Sequence, residues 1–480
     1  MANWKSPRRI AKNARVDALT TRGEHELAEL EAAIVGTIVL PIDPSYDADR
    51  QESNPAFQAY PQIIVYCEVA SDVRWALTLA QQKNYWVAAR SGGHSTAGYS
   101  VNSGIVIDTS RISYVSIDSV NKVARVGPGT DFDTLNGALD GTGFHIPGGA
   151  CGNVCVAGFM QGGGYGYTSR MFGMNCDNVV AVTILLADLS IVTASETEHA
   201  DLFWAIRGGT GGNFGIIIEI TYALRDLDTV WAWAIQWDIA DAPAALLAMQ
   251  QDYTRGAPPE IGYMTNICTH DKAQYMLVQG MYCGTALAGK AALAPLLKLG
   301  SAQLLVDETG TYGKMDTYLD NNPYEVPDLP LSGSMEDKQA GYISKPLALA
   351  DWQTIVTMYA STPKPYDTVI IEPYGGAIEA YGSEKNAFIH RTADLNLFVD
   401  VFWLKDADKG EAVAWLDAYM KVMQPYYDGH IYQNYPRRTI ANFREAYWGD
   451  AFPRLLAIKQ KYDPTNVFHY EQSISPKITD

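Results

Sequence analysis

The sequence predicts an α+β protein of two domains. Three observations carry that expectation. The chain has 480 residues, more than one hydrophobic core ordinarily organises. Near its start, "PQIIVYCEV", "SDVRWALTLAQQKN" and "YWVAAR" read as strand, helix and strand, an order that suggests a parallel pair. Past about residue 225 the glycine clusters thin out, and strand-like "VWAWAIQWDI" opens a stretch of different texture.

The elements follow in order. "EHELAELEAAI" places Leu27, Leu30 and Ile34 at helical spacing. The helix at "SDVRWALTLAQQKN" has a Ser/Asp start. "GIVIDTS", "VSID" and "KVARVGPGT" are short strands, and "DFDTLNGALDGTG" is a helix ended by Gly141 and Gly143. "NVVAVTILLADLSIVTAS" reads as a hairpin-like pair of strands, and "HRTADLNLFVDVFW" as a strand by its alternating later half. The end, "ANFREAYWGDAFPRLLAIKQKYDPTNVF", is helical. The expected division is 1–225, 226–435 and a segment 436–480 that returns to the first domain.

Composition narrows the partners. Acidic residues outnumber basic ones, 54 to 36, for a net charge of -18. That field repels nucleic acid and anionic membrane, so neither is expected as a partner. No apolar run reaches spanning length. The N-terminal "MANWKSPRRIAKNARV" lacks the apolar segment of a secretory signal and reads as a disordered or surface arm. No Asn-x-Ser/Thr sequon occurs. Six cysteines are scattered along the chain, which is neither a disulfide framework nor a zinc pattern, so most are expected as buried thiols. Oligomeric state is not legible.

The chemistry is concentrated in glycine-rich stretches. "RSGGHSTAG", residues 90–98, follows a strand and fixes His94 behind a tight turn. "GGGYG" at 162–166 and "GGTGGNFG" at 208–215 miss the G-x-G-x-x-G dinucleotide pattern. Singly, each cluster reads as a turn, His94 as a structural histidine and Cys151 as a core thiol.

As a set they say more. "ARSGGHSTAGYS", "GGACGNVCVAGFMQGGGYGYTSRMFGMNCDNV", "DLFWAIRGGTGGNFGI", "PYGGAI", "YQNYP" and "KYDPTNVFHYEQSI" occur in that order. The chain resembles the berberine-bridge-enzyme-like family of FAD-linked oxidases, within the vanillyl-alcohol-oxidase superfamily, over nearly its whole length after about residue 35. The resemblance implies a vanillyl-alcohol-oxidase-type FAD-binding domain and an α+β substrate domain whose antiparallel sheet covers the flavin. It implies FAD bonded covalently to His94 and to a cysteine 11 residues before the first glycine of "GGGYG", which is Cys151, with Cys155 as the alternative. Imidazole and thiolate are nucleophiles suited to that addition. The backbone of Arg90, Ser91, Gly92, Gly93, His94 and Ser95 is expected around the pyrophosphate. Gly152, Val154, Gly158, Gly162, Gly163, Gly166, Ile216, Ile217, Tyr432 and Asn434 are expected to complete the FAD site. Val154, three residues after the flavin cysteine, matches the valine that goes with dioxygen use in the family. No metal is expected.

For the reaction, the resemblance implies removal of a hydride from a carbon bearing a hydroxyl, with dioxygen reduced to hydrogen peroxide. Tyr435 matches the family tyrosine that deprotonates the substrate. A phenol titrates near about 10 unless a neighbour intervenes, and the sequence does not show that neighbour. Tyr374 is a further pocket candidate. Asn396 falls about where several plant members carry a carboxylate base. It reads as a residue that orients a hydroxyl while Tyr435 is the base, as a position meant to be aspartate in a weakened variant, or as a surface or hairpin-edge asparagine. Asn396→Asp is expected to speed flavin reduction by at least about tenfold. The expected substrate is a mono- or disaccharide oxidised at its anomeric carbon to a lactone. Oxidation of an aromatic alcohol or alkaloid, and a flavin-bearing protein without turnover, are the alternatives.

Overall fold

The computed structural model describes residues 7–270, 272–321 and 333–477. A four-stranded sheet is built from Thr37–Val39, Ile63–Tyr66, Ile105–Asp108 and Val87–Arg90, in that spatial order. The helix Ala70–Lys83 connects the second of these strands to the last. The predicted strand–helix–strand unit is therefore present, but its two strands do not touch. Both pair in parallel with Ile105–Asp108, which lies between them. A crossover leaves room for such an insertion, and the later strand fills it.

A five-stranded sheet follows in the order Val115–Asp118, Val123–Val126, Ile216–Ala223, Val179–Leu185 and Ile191–Ser195. The last two form the expected antiparallel pair. The third layer is a seven-stranded, fully antiparallel sheet. Its order is Gln303–Gly310, Val230–Asp238, Ala273–Tyr282, Ile261–His270, Thr368–Pro373, Leu395–Trp403 and Met335–Ile343.

This large sheet sorts its side chains by strand parity. Leu397, Val399, Val401 and Trp403 pack with Leu246, Ile355 and Leu416 from the helices Ala242–Asp252, Leu349–Tyr359 and Asp406–Met423. The opposite parity, including Phe398 and Asp400, faces a cavity.

The C-terminal helix Phe452–Tyr462 lies against the glycine-rich region near residue 213, where buried Lys459 donates to the Asn213 carbonyl at 2.7 Å. Between residues 177 and 391, Arg391 grips Asp177 through two nitrogens, at 2.6 and 2.7 Å, with both side chains buried.

The N-terminal expectation is corrected. Residues 1–6 lie outside the described residues, but Pro7–Thr21 is helical. Leu19 is fully buried in the core beneath the first sheet, and Arg15 pairs with Asp43. An apolar contact and an ion pair hold this helix in place, which removes the disordered alternative and leaves the surface one. No helix among the described residues is long and apolar enough to cross a membrane.

Candidate active site

A cavity of about 1280 Å³ lies between the glycine-rich loops and the open face of the seven-stranded sheet. Pockets for one drug-sized ligand run about 300–1,000 Å³, so this one has room for a large cofactor and a further small molecule. Arg90, Ser91, Gly92, Gly93, His94 and Ser95 all line it, as do Ile216 and Ile217. Gly93 has φ +71°, a left-handed conformation that side chains rarely tolerate. That turn carries His94 to the wall. Arg90 is held from behind by the buried carboxylate of Asp108. Burial pushes the His94 imidazole below its usual range, which keeps it neutral and nucleophilic.

Cys151 is the exposed one among the six cysteines, and it opens onto the same cavity. Desolvation at the cavity wall, reinforced by Asp320, pushes this thiol up to about 11, while Lys338 pulls it down. Cys155 also borders the cavity, but it is buried at the start of the helix Val156–Gln161. Its Sγ faces the Gly129 carbonyl at 3.4 Å, and burial pushes it up to about 12. Cys151 is thus the more accessible thiol.

Val154 and Gly158 line the cavity, and a side chain at Gly158 would meet open space. The other glycines need correcting. Gly152, Gly162, Gly163 and Gly166 are not among the lining residues. A Cβ at Gly152 would meet the Asp133 carboxylate at 2.1 Å, and one at Gly162 the Asn434 amide at 1.8 Å. At Gly163 it would meet the Phe388 ring at 2.7 Å, and at Gly166 the Gly148 carbonyl at 1.7 Å. These glycines let chain segments approach closely behind the wall; they do not form it.

The floor of the cavity holds Tyr435, Tyr432 and Asn434. Tyr432 is fixed from behind: its oxygen accepts from the Gly164 and Tyr165 amides at 2.9 and 3.1 Å and from Asn434 Nδ2 at 3.0 Å. Tyr435 donates its hydroxyl to Glu372 Oε1 at 2.7 Å, and Asn396 Nδ2 donates to Oε2 of the same carboxylate at 2.8 Å. Glu372 lines the cavity. Burial pushes it up to about 7, against the pull of its two hydrogen-bond donors. Burial, then the Glu372 charge, hold the Tyr435 phenol well above its usual range. Tyr435 therefore keeps its proton at neutral pH and has a carboxylate beside it that can take that proton.

Two models of known families match this chain: an FAD binding domain over residues 61–195 and a berberine and berberine-like segment over residues 431–475. An uncharacterized FAD-linked oxidoreductase of Bacillus subtilis, YvdP, is 30% identical over 457 residues, spanning 92% of this chain and 98% of its own. The chain belongs to the berberine-bridge-enzyme-like family of FAD-linked oxidoreductases. A carbohydrate oxidase of Microdochium nivale is 29% identical over 486 residues, covering 96% of this chain and 97% of that one. Among solved structures, the berberine-bridge-enzyme-like protein 1 of Physcomitrella patens superposes with a TM-score of 0.86 at 26% identity, covering 95% of this chain and 99% of that one. The fold is thus the mixed, vanillyl-alcohol-oxidase-type FAD fold with antiparallel sheet, and FAD is the cofactor.

Two pocket expectations change in this berberine-bridge-enzyme-like chain. Tyr374 does not line the cavity; it is fully buried, stacked on Tyr165 and hydrogen-bonded to the Tyr342 hydroxyl at 3.0 Å. Asn396 is neither at the surface nor at a hairpin edge. It is fully buried beside Glu372, its direct partner across the strand pair. The neighbouring strand thus sets a carboxylate, Glu372, against residue 396.

The expected gain from Asn396→Asp is therefore reversed. The substitution sets two carboxyls at hydrogen-bond distance, and such pairs share a proton. The apparent pKa of Glu372 moves above about 7. We expect flavin reduction at neutral pH to slow and its pH profile to shift upward by about one unit or more. Anaerobic rapid-mixing rates between pH 5 and 9 decide it; a faster variant at pH 7 contradicts the geometry.

Glu372 was not found from the sequence. Its signal was a lone charge ending the apolar run "TVII", a weak one until the strand's facing is known.

Proposed function

We propose that the protein oxidises a mono- or disaccharide at its anomeric carbon to a lactone, with dioxygen as the acceptor and hydrogen peroxide as the second product. The observation that carries this reading is the Tyr435–Glu372 pair at the cavity floor. As Tyr435 takes the proton of a substrate hydroxyl, its own proton passes to Glu372. A carboxyl near neutral pH is matched to that work. The Microdochium nivale relative, a carbohydrate oxidase by name, supports a sugar as substrate.

Bound FAD supplies the two-electron acceptor for the substrate's hydride. The residues present fit it. The Arg90–Ser95 loop offers backbone around an anion, and Ile216 and Ile217 give apolar wall. His94 and Cys151 open onto the same space and are the proposed covalent anchors. Val154 borders the cavity three residues past Cys151, where the valine side chain leaves room for dioxygen. Residues 1–225 with 436–480 hold the cofactor in this reading, and 226–435 carry the sugar.

Attachment through two residues makes a specific prediction. His94→Ala and Cys151→Ala should each keep their flavin through acid precipitation, and the double variant should release it. Flavin released by either single variant, or retained by the double one, overturns the paired anchors. The reaction is tested by anaerobic mixing with glucose, cellobiose and a panel of aromatic alcohols. Bleaching of the flavin by a sugar is expected. Bleaching by aromatic alcohols alone, or none at all, overturns the sugar reading.

A further inference from the structure

Behind the loop 90–95 lies a carboxyl that neither wall nor floor of the cavity uses. Glu52 belongs to the segment between the helix Tyr46–Asp49 and the strand Ile63–Tyr66. That segment is stitched to the loop. The Ser53 amide and hydroxyl both donate to the Gly93 carbonyl, at 3.0 and 2.9 Å. A Cβ at Gly93 would stand 3.7 Å from Glu52 Cα. Glu52 is only 9% exposed and does not line the cavity. Neither of its buried carboxyl oxygens makes a hydrogen bond of normal geometry.

Two guanidinium groups face Glu52, Arg90 from the strand Val87–Arg90 and Arg438 from the segment after Tyr435, and both are engaged elsewhere. Arg90 places Nε on Asp108, Nη1 on the Gln51 carbonyl at 3.3 Å and Nη2 on the Tyr66 hydroxyl at 3.4 Å. Arg438 places Nε on the Ala97 carbonyl at 2.7 Å, Nη1 on Glu471 at 3.4 Å and Nη2 on the Gly98 carbonyl at 3.4 Å. From the large sheet, Glu336 adds a like charge. A buried carboxylate without a bonded counterion is costly, and keeping the proton avoids that cost. Burial, the largest influence, pushes Glu52 up to about 8, against the pull of the Ser100 amide, Arg438 and Arg90. At neutral pH the group is an uncharged acid.

The diphosphate of FAD is a fixed anion. A second anion directly behind the loop that surrounds it would repel it, and a buried pair of charges is screened little by salt. The coupling runs both ways, because an anion bound at the loop also makes Glu52 hold its proton more tightly. We propose that Glu52 is a positioning residue for the cofactor: with its proton on, it leaves the back of the loop 90–95 uncharged for the FAD diphosphate, and losing that proton loosens the loop's hold. This rests on the reading above that the loop surrounds the diphosphate.

Phosphorus NMR of the holoenzyme tests it. The bound diphosphate has no titrating proton of its own between pH 6 and 10, so its resonances report only their surroundings. In the wild type they should move through one inflection at or above about pH 8. Glu52→Gln should remove that inflection and keep the resonances near their low-pH positions throughout. Glu52→Leu, which leaves no buried amide without a partner, should do the same. An inflection that survives in both variants overturns the role of Glu52, whatever the variants do to the thermal midpoint, as does its absence from the wild type. Ser91→Ala and Ser95→Ala check the placement of the diphosphate at pH 7. If neither moves the resonances, the diphosphate lies elsewhere and the placement itself falls. If they move but no inflection depends on Glu52, the positioning role alone falls.

Discussion

Tyr435→Phe should slow anaerobic flavin reduction by a factor of about 100 to 10,000, the span that a general base contributes. The substitution removes one oxygen and little else. The ring keeps its contacts with Phe398 and Tyr432, at 4.5 and 4.9 Å between centroids. The lost atom is the donor to Glu372 Oε1. Glu372→Gln should also slow reduction, by less than Tyr435→Phe, because the phenol can still pass its proton to water. The two variants differ in pH dependence. Burial places Glu372 at about 7, and it must be ionised to accept a proton. Wild-type reduction should therefore rise with pH through about 7, and Glu372→Gln should lose that rise. Rapid-mixing rates across pH 5 to 9 read both effects. A loss under tenfold in Tyr435→Phe, or an unchanged profile in Glu372→Gln, removes the pair from the chemistry.

Asp177→Ala should destabilise the fold by about 3–5 kcal/mol, the usual result of leaving one member of a buried ion pair alone. Both Asp177 oxygens are bonded by Arg391, and Asn386 bridges the two, donating to Asp177 at 2.7 Å and accepting from Arg391 at 2.8 Å. Asp177 also accepts the Met174 amide at 2.9 Å. The substitution orphans a guanidinium that is almost wholly buried. The network ties two segments more than 200 residues apart in sequence, so its loss loosens how the sheet region meets the glycine-rich region. A fall in thermal midpoint of several degrees, by circular dichroism, is the expected result. A shift worth less than about 1 kcal/mol shows that the site relaxes to admit water. Asp177→Asn, which keeps two acceptor contacts, should lie between.

Local pattern made much of this protein legible. The helix at Ala70–Lys83 and the strands at Ile63–Tyr66 and Val87–Arg90 stand where periodicity put them. His94 and Cys151 could be singled out because each follows or sits among glycines at a recognisable spacing, and both face the cavity. The glycines of "GGGYG" were legible as special and misread as to purpose. A glycine that admits a ligand and one that admits another chain segment look alike in sequence. Only the position of Asn434, Phe388 and the Gly148 carbonyl shows which was meant.

By itself the sequence determined the composition of the site: a histidine behind a glycine turn, a cysteine, and a tyrosine near the end of the chain. Tertiary structure decided the partners. Glu372, Asn396, Lys338 and Asp400 lie on three strands, and no spacing rule relates them. They meet because Glu372 pairs with Asn396, and Asp400 with Lys338, in the register of the antiparallel sheet. A slip of one residue would turn every one of these side chains to the helix-covered face. That register is fixed by the burial of Leu397, Val399 and Val401 against the helices on the far side. The hydrophobic face of the strand thus sets which polar groups reach the cavity, and that choice depends on contacts between residues far apart in the chain.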